Sequence, residues 1–328
     1  MRLGVVETAH WSPLWGSDAR TASWATLSFP RRSYVIDLLE PGERLFASVA
    51  GALLINPGTP FRRDPRYRAD LANDFLAFDP TLVREVASAW DPAASDREAA
   101  PFPAVGIALD TPAFRIHRLL LDYAASADEP DPLVVEETGV LLLRHLLATA
   151  YQGLHTTRPS KASTTRPSKA STTRPSKAST TRPSKASTTR YHREVVEEAK
   201  EYIGAHLSRP LRLAEIARAV GVAPAHFCVV FRRMTGQTVH EFVRELRLRT
   251  AYDRLPEYRG SLTDLALGLG FSDGSHFSAS FREWFDEPPS RVSQRAVDDD
   301  SVRLLSALTR ACAAEFERSP KPVRRPPR

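Results

Sequence analysis

RLAEIARAVGVAPAHFCVVFRRMTG at 212–236 and SLTDLALGLGFSDGSHFSASFREWF at 261–285 are two readings of one pattern. In the first, Leu213, Ile216, Ala217 and Val220 recur at three- to four-residue steps, which places them on one face of a helix. Gly221 follows, where a tight turn needs positive φ. A second helix, predicted over Pro224–Met234, turns Phe227, Val230 and Phe231 inward, and small Ala217 lets the two helices cross closely. The second stretch repeats the arrangement with Leu262, Leu265, Ala266 and Leu269 inward, Gly270 at the turn, and Phe277 and Phe281 on the following helix. Each reads as a helix-turn-helix unit.

The interval between the units is as informative as the units. Ala217 to Ala266 and Gly221 to Gly270 are both 49 residues apart, and VHEFVRELRLRTAYDRL (239–255) between them reads as one helix with Phe242, Leu246 and Leu255 buried. Such a rod is about 25 Å long. That suits two reading helices near the ~34 Å spacing of successive major-groove faces. Any helical hairpin with a glycine imitates one such unit, but two at a rigid spacing are much harder to obtain by chance. The expected partner is double-stranded DNA carrying paired major-groove half-sites.

Residues 195–294, about a third of the chain, resemble the DNA-binding domain of the AraC-type (arabinose-regulator-like) family. The closest likeness lies in DLALGLGFSDGSHFSASFREWFDEPPSRV (264–292), with its Gly-Phe-Ser turn, paired aromatics and a Pro before the last helix. The resemblance implies a seven-helix DNA domain, an activator that touches RNA polymerase, a homodimer, and more loosely an N-terminal jelly-roll sensor, for which GALLINPGTPFRR (51–63) supplies a strand-and-turn. Candidate DNA-contacting residues are Ala225, His226, Cys228, Val229, Arg232 and Arg233 in the first unit. In the second they are Asp273, Gly274, Ser275, Ser278, Ala279 and Arg282.

The chain departs from the family at the reading positions. Each recognition helix of the family usually presents an Arg to a base edge; Val229 and Ala279 stand there and make no bidentate contact to guanine. Readout is therefore expected to shift toward thymine-methyl contact from Val229 and hydrogen bonds from Ser275, Ser278 and His226. Arg232, Arg233 and Arg282 are placed to reach phosphates, or else form a solvated face. His226 and His276, each followed by Phe, are alternatively caps on the helix seam, and Cys228 reads as a small space-filler. The first unit lacks polar N-caps, with Arg212 and Ala223 at those positions, whereas the second keeps Ser261 with Asp264 in a capping-box arrangement, and Ser272.

The net charge of +6 over 328 residues is unevenly spread. Residues 1–155 carry a net −6, 156–189 a net +8, 190–296 a net +2 and 297–328 a net +2. Overall basicity therefore says little about DNA binding, and pattern carries the case. Hydrophobic content of 42% is ordinary for a globular chain. No apolar run reaches the ~20 residues that span a bilayer, and no secretion signal opens the chain, so a cytoplasmic, nucleoid-associated bacterial protein without membrane contact is expected. Two cysteines, Cys228 and Cys312, have no zinc spacing, and no cofactor is expected.

The segment at 156–190 is four copies of TTRPSKAS and a partial fifth. With one Pro, two cations and no large apolar side chain per copy, it is expected to be a disordered linker, either a neutral tether or an added source of phosphate contacts. Residues 1–110 read as a β-rich, jelly-roll or cupin-like sensor lobe, with YVIDLL (34–39) and ALLIN (52–56) as strands. Residues 111–155 read as two helices with more apolar surface than one stripe needs, a share of it facing a second subunit. Enzyme activity is disfavoured: the first 110 residues hold one histidine, His10, and no Ser/His/Asp order or glycine-rich loop.

A small-molecule effector is expected instead, with Trp11, Trp15, Trp24, Phe29 and Tyr34 as pocket aromatics and Arg31, Arg32, Arg62 and Arg63 as anion receivers. The alternative is a ligand-independent lobe that dimerises or binds a protein. A flexible tether transmits orientation poorly, which favours control by dimerisation. Residues 191–296 form the DNA-binding domain, and 297–328 a short helix (Val302, Leu305, Leu308, Cys312, Phe316) and a basic tail. The fold class is α+β: a β-rich sensor with two helices, a linker, and an all-α double helix-turn-helix domain.

Overall fold

In the computed structural model, the described residues are 4–5, 20–21, 24–39, 42–64, 66, 73–96, 101–103, 105–126, 130–157, 185–294 and 307. The apolar runs of the first lobe become strands: β1 Gly4–Val5, β2 Arg20–Thr21, β3 Ala25–Pro30, β4 Tyr34–Leu38, β5 Glu43–Ala47, β6 Gly51–Ile55, β7 Pro60–Arg63, β8 Asn73–Phe78 and β9 Gly106–Ala108. They form two antiparallel sheets, ordered β1-β8-β3-β6-β9 and β2-β7-β4-β5. The two-residue side-chain period divides β6 between two cores. Leu53 and Ile55 of β6 join Tyr34, Ile36, Leu38 and Phe61 between the sheets, while Ala52 and Leu54, one residue out of phase, face helices with Leu27 and Phe29 of β3.

Helix α1 (Pro80–Ala87), which the β-rich reading of 1–110 did not anticipate, covers that second face with α2 (Thr111–Ser126) and α3 (Pro132–Thr157). Asp79 caps α1 by accepting from the Thr81 N–H. The C-terminal half comprises α4 (Lys185–Ala205), α5 (Leu213–Ala219), α6 (Pro224–Thr235), α7 (Val239–Arg254), α8 (Leu262–Gly268), α9 (Gly274–Phe285) and α10 (Pro289–Ser293). Among the described residues no single helix is long and apolar enough to cross a membrane.

Two expectations need correction. Both ends of the stretch expected as a linker, 156–190, are helical: α3 runs to Thr157 and α4 begins at Lys185, inside the last full repeat copy. Lys, Ala and Ser tolerate helix, and Val195, Val196, Ala199 and Ile203 give α4 its buried face. The remaining repeats, 158–184, lie outside the described residues, as do Trp11, Trp15 and all of 297–328 except Ala307.

The second correction concerns the surplus apolar surface of 111–155. Helix α2 is buried nearly all round because it has three neighbours: the sheet, α3 and the C-terminal half of the same chain. Phe114 meets Tyr252 of α7 edge-on with ring centroids 5.4 Å apart, and lies 6.0 Å from the Phe285 ring. The hydrophobic cluster of α2, α3 and β3 continues through Leu248, Tyr252, Phe277 and Phe281. On the other side, Val49 and Ala50, in the turn between β5 and β6, pack into the cluster of α4 to α7. The first lobe thus packs against both helix-turn-helix units, and this seam relates the two halves.

Charged groups cross the same seam. Arg118 lies 3.1 Å from Asp74 of β8 and 3.1 Å from Asp253 of α7, and Arg115 lies 3.2 Å from Glu287. Arg249, 1% exposed, pairs with Glu245 at 2.7 Å and donates to the Leu109 carbonyl at 2.6 Å. The carboxylates and carbonyls offset the buried charge of these arginines, although the Nε–H of each is buried without a partner.

Among the described residues, those expected to line an effector pocket are not brought together. Phe29 faces the helices, stacked on His117 at 3.9 Å, while Tyr34 lies in the other core, between the sheets. Arg31 is engaged with Asp74 at 2.8 Å, and Arg63 lies 5.6 Å from the Tyr34 ring centroid. Trp24 is on the surface and Arg62 is exposed.

Candidate nucleic-acid interface

The two units share a backbone device. Gly221 and Gly270 have φ of +68° and +81°. Just past each, an N–H reaches back five residues, Val222 to the Ala217 carbonyl at 2.9 Å and Phe271 to the Ala266 carbonyl at 3.0 Å. These bonds close a Schellman turn that ends the first helix and aims the chain into the second. Most inward residues of both units are buried as the periodicity requires: Ile216, Ala217, Val220, Phe227, Val230 and Phe231 in one, Leu265, Ala266, Leu269, Phe277 and Phe281 in the other, but Leu213, expected on that face, is exposed at the open end of α5 and Leu262 is half-buried.

Helix ends differ between the units. Neither Arg212 nor Ala223 makes a side-chain cap bond. Glu215 in the first turn of α5 supplies the negative charge that a helix start favours; the Arg209 guanidinium and the Tyr202 hydroxyl hold its carboxyl at about 2. Ser261 caps α8 by accepting from the Asp264 N–H at 3.0 Å. At α9 the cap is Asp273, not Ser272: its carboxylate accepts the His276 N–H at 2.7 Å, and the Ser272 hydroxyl donates to it at 3.0 Å. The cap bonds hold the Asp273 carboxyl below the usual carboxylate range. The rod α7 carries a full capping box, in which Thr238 and Glu241 exchange bonds of 3.2 and 2.7 Å. Its signal is Thr238 followed three residues on by Glu241, a spacing that sequence reasoning missed.

Most sequence-chosen residues share the outer faces of α6 and α9. Ala225, His226, Cys228, Arg232 and Arg233 are exposed on α6, with Val229 the most prominent apolar side chain of that helix at 67% exposure. Cys228 is thus an exposed thiol and not a space-filler. On α9, Ser275, Ala279 and Arg282 are exposed; Gly274 and Ser278 are half-buried. Gly274 approaches α8 so closely that a Cβ there would sit 2.8 Å from the Thr263 Oγ1. The Ser278 hydroxyl donates to the Gly274 carbonyl at 2.8 Å, so its proton is committed within the helix. His226 and His276 are both exposed, which removes them from a buried seam.

Sequence reasoning treated the rod only as a spacer and missed His240, Arg244 and Arg247, which face the space between the two reading helices. Arg244 bridges to Glu283 of α9 at 3.2 Å and lies 5.3 Å from the Trp284 ring centroid. Arg247 donates to the Leu207 and Arg209 carbonyls at 3.2 and 2.8 Å. The rod is thereby tied to α9 and to the loop that precedes α5.

Two helix-turn-helix units on one rod, each with its second helix facing solvent, define a DNA-binding protein of the double helix-turn-helix class. Residues 216–295 match the helix-turn-helix domain family. The chain is similar to the regulatory protein SoxS of Salmonella typhimurium, 31% identical over 104 residues that cover 32% of this chain and 97% of SoxS. It is also similar to the regulatory protein PocR of that organism, 32% identical over 104 residues, 32% of this chain and 34% of PocR. A solved transcriptional regulator with an AraC-type DNA-binding domain from Chromobacterium violaceum shares 29% identity over 32% of this chain and 96% of its own, with a TM-score of 0.30. This chain belongs to the AraC-type family of DNA-binding transcription regulators.

Proposed function

We propose that the chain is a dimeric, small-molecule-responsive transcription activator of the bacterial nucleoid, which reads two major-groove segments per subunit and works beside RNA polymerase. The observation that carries DNA reading is the repeat of one helix-turn-helix geometry on a single rod, with Val229 and Ala279 at matching outward positions. In this reading Val229 touches a thymine methyl, Ser275 and His226 bond base edges, and Ala225, Cys228 and Gly274 allow close approach. Arg232, Arg233 and Arg282 contact phosphates. Asp273 and Ser278 serve mainly to shape α9, since their polar atoms are engaged within it.

The first lobe is proposed as a jelly-roll-like sensor. Its route to the DNA is the packed seam, because Phe114 and Arg118 on one side meet Tyr252 and Asp253 of the rod on the other. An effector that shifts α2 then shifts the rod that sets both reading helices.

The test is selection of bound sites from a random duplex pool by the full chain, followed by footprinting. One site with two protected segments about a helical turn apart is expected, and Val229→Ala is expected to relax preference in the first segment. Retained preference there removes Val229 from base reading. For the sensor, thermal-shift screening against metabolites is the direct measurement. A ligand at 100 times its Kd adds about 2.7 kcal/mol, and no shift with any metabolite returns the lobe to a purely structural role.

A further inference from the structure

Between α6 and the start of α9, over the N-terminal half of the rod, lies a cleft of about 760 Å³. Its cations are Arg232 from α6 and Arg244 and Arg247 from α7, flanked by the imidazoles of His240 and His276, and among the described residues lining it there is no carboxylate. That departs from a domain whose charges nearly balance. Arg244 is offset by Glu283, which stands outside the cleft. Arg247 is not offset in this way: half-buried, it bonds only the neutral Leu207 and Arg209 carbonyls, and burial lowers its pKa. A desolvated cation whose partners are only carbonyls is costly unless an anion approaches it. The rest of the lining is apolar, with Leu213, Val243 and Phe271 among it.

From this arrangement we infer that the cleft is a third DNA contact, the seat of the sugar-phosphate backbone that runs between the two half-sites. The inference rests on the DNA-reading assignment and deepens it. A duplex that meets α6 and α9 in successive major grooves must carry a backbone strand across the space between them. Phosphates supply the counter-charge that Arg247 lacks, His240 can hydrogen-bond them from the exposed rim, and the carbon faces of deoxyribose suit an apolar lining. Such contacts carry no base information but fix the register of the two reading helices on the duplex.

The full chain is first given its site by selection from a random duplex pool, and charge-neutral methylphosphonate linkages are then walked along both strands. A neutral linkage at one or two positions between the protected segments is expected to weaken binding about tenfold. It is also expected to lower the salt slope by about one for each phosphate neutralised. Arg247→Met weakens binding to the unmodified duplex and makes the protein indifferent to those linkages. Because Arg247 also braces two loops, His240→Ala on the exposed rim is run beside it; it blunts the same response without lowering Tm. Full sensitivity of both variants to the central linkages overturns the inference. So does an unchanged Kd at every central linkage when linkages inside the segments still weaken binding, an outcome that leaves DNA reading intact. Failure to select any site over random duplex rejects the DNA-reading assignment itself.

Discussion

The Arg249 guanidinium, in the middle of the rod that joins the two units, donates at 2.6 Å to the Leu109 carbonyl, 140 residues earlier in the chain. It also contacts the Val49 carbonyl at 3.4 Å, lies 5.0 Å from the Phe114 ring centroid and pairs with Glu245 at 2.7 Å. One side chain therefore ties the rod to three parts of the first lobe. Arg249→Ala leaves Glu245 buried without its partner, and removing one member of such a pair costs about 3–5 kcal/mol. Urea denaturation of the full chain is expected to show that drop in stability. Arg249→Met combined with Glu245→Gln, which removes both charges, is expected to cost clearly less. Equal costs would mean that the pair is not the source of the stability.

The two turn glycines do not have equal surroundings. Both have positive φ, so an Ala at either costs about 1 kcal/mol in backbone strain. A Cβ on Gly221 would meet nothing within 4 Å, whereas one on Gly270 would sit 2.5 Å from the Arg247 Nη2 and 3.0 Å from the Leu207 carbonyl oxygen. Gly270→Ala is therefore expected to cost about 1 kcal/mol more than Gly221→Ala. It also pushes Arg247 out of place, so weakened DNA binding accompanies the lower denaturation midpoint. Identical destabilisation in the two variants would contradict this account of the Gly270 turn.

The helix-turn-helix units were legible because local rules suffice for them. A period near 3.6, a glycine at the turn and a 49-residue translation need no knowledge of the rest of the chain. The outer faces followed by subtraction, since Val229 lies opposite Phe227 and Phe231 and Ala279 opposite Phe277 and Phe281, all of them buried. What sequence did not disclose is long-range. Arg249 occupies a helical position that in isolation reads as solvated, and only its distant partners at Val49 and Leu109 bury it. The excess apolar surface of α2 was visible, but a neighbouring subunit and the chain's own rod leave the same trace in composition. The cleft residues were missed for a related reason: His240, Arg244 and Arg247 converge only once the two units are folded against the rod.

Helix capping offers a gain as well as a cost. Ala223 precedes Pro224 at the start of α6 in extended conformation, with no side-chain acceptor for the free N–H groups of the first turn. A serine there supplies one, and such a cap is worth about 1 kcal/mol. Ala223→Ser is expected to raise the denaturation midpoint. Thr238→Ala, which dismantles the capping box of the rod, is expected to lower it by a similar amount. If Ala223→Ser leaves stability unchanged or lower, the α6 terminus is limited by something other than its missing acceptor.

Acid should loosen the seam through His117. Its ring is buried against Phe29, with Nε2 3.2 Å from the Asp74 Oδ2, and burial lowers its pKa despite that carboxylate. Burial alone would raise Asp74, but His117, Arg118 and Arg31 outweigh it and hold the group at about 2. For both groups the unfolded chain takes up protons first, so each stabilises the fold at neutral pH and that contribution fades as pH falls. For His117 the decline begins below about 6.5, its unfolded value, and for Asp74 only below about 4. Asp253, raised by burial, has the opposite sign and partly offsets the acid effect once pH approaches its folded value. Between pH 7.5 and 5.5 the denaturation midpoint of the full chain is therefore expected to fall, and His117→Leu is expected to flatten that dependence although it lowers stability at pH 7.5. If the variant keeps the slope of the parent, protonation of His117 is not what acid acts upon.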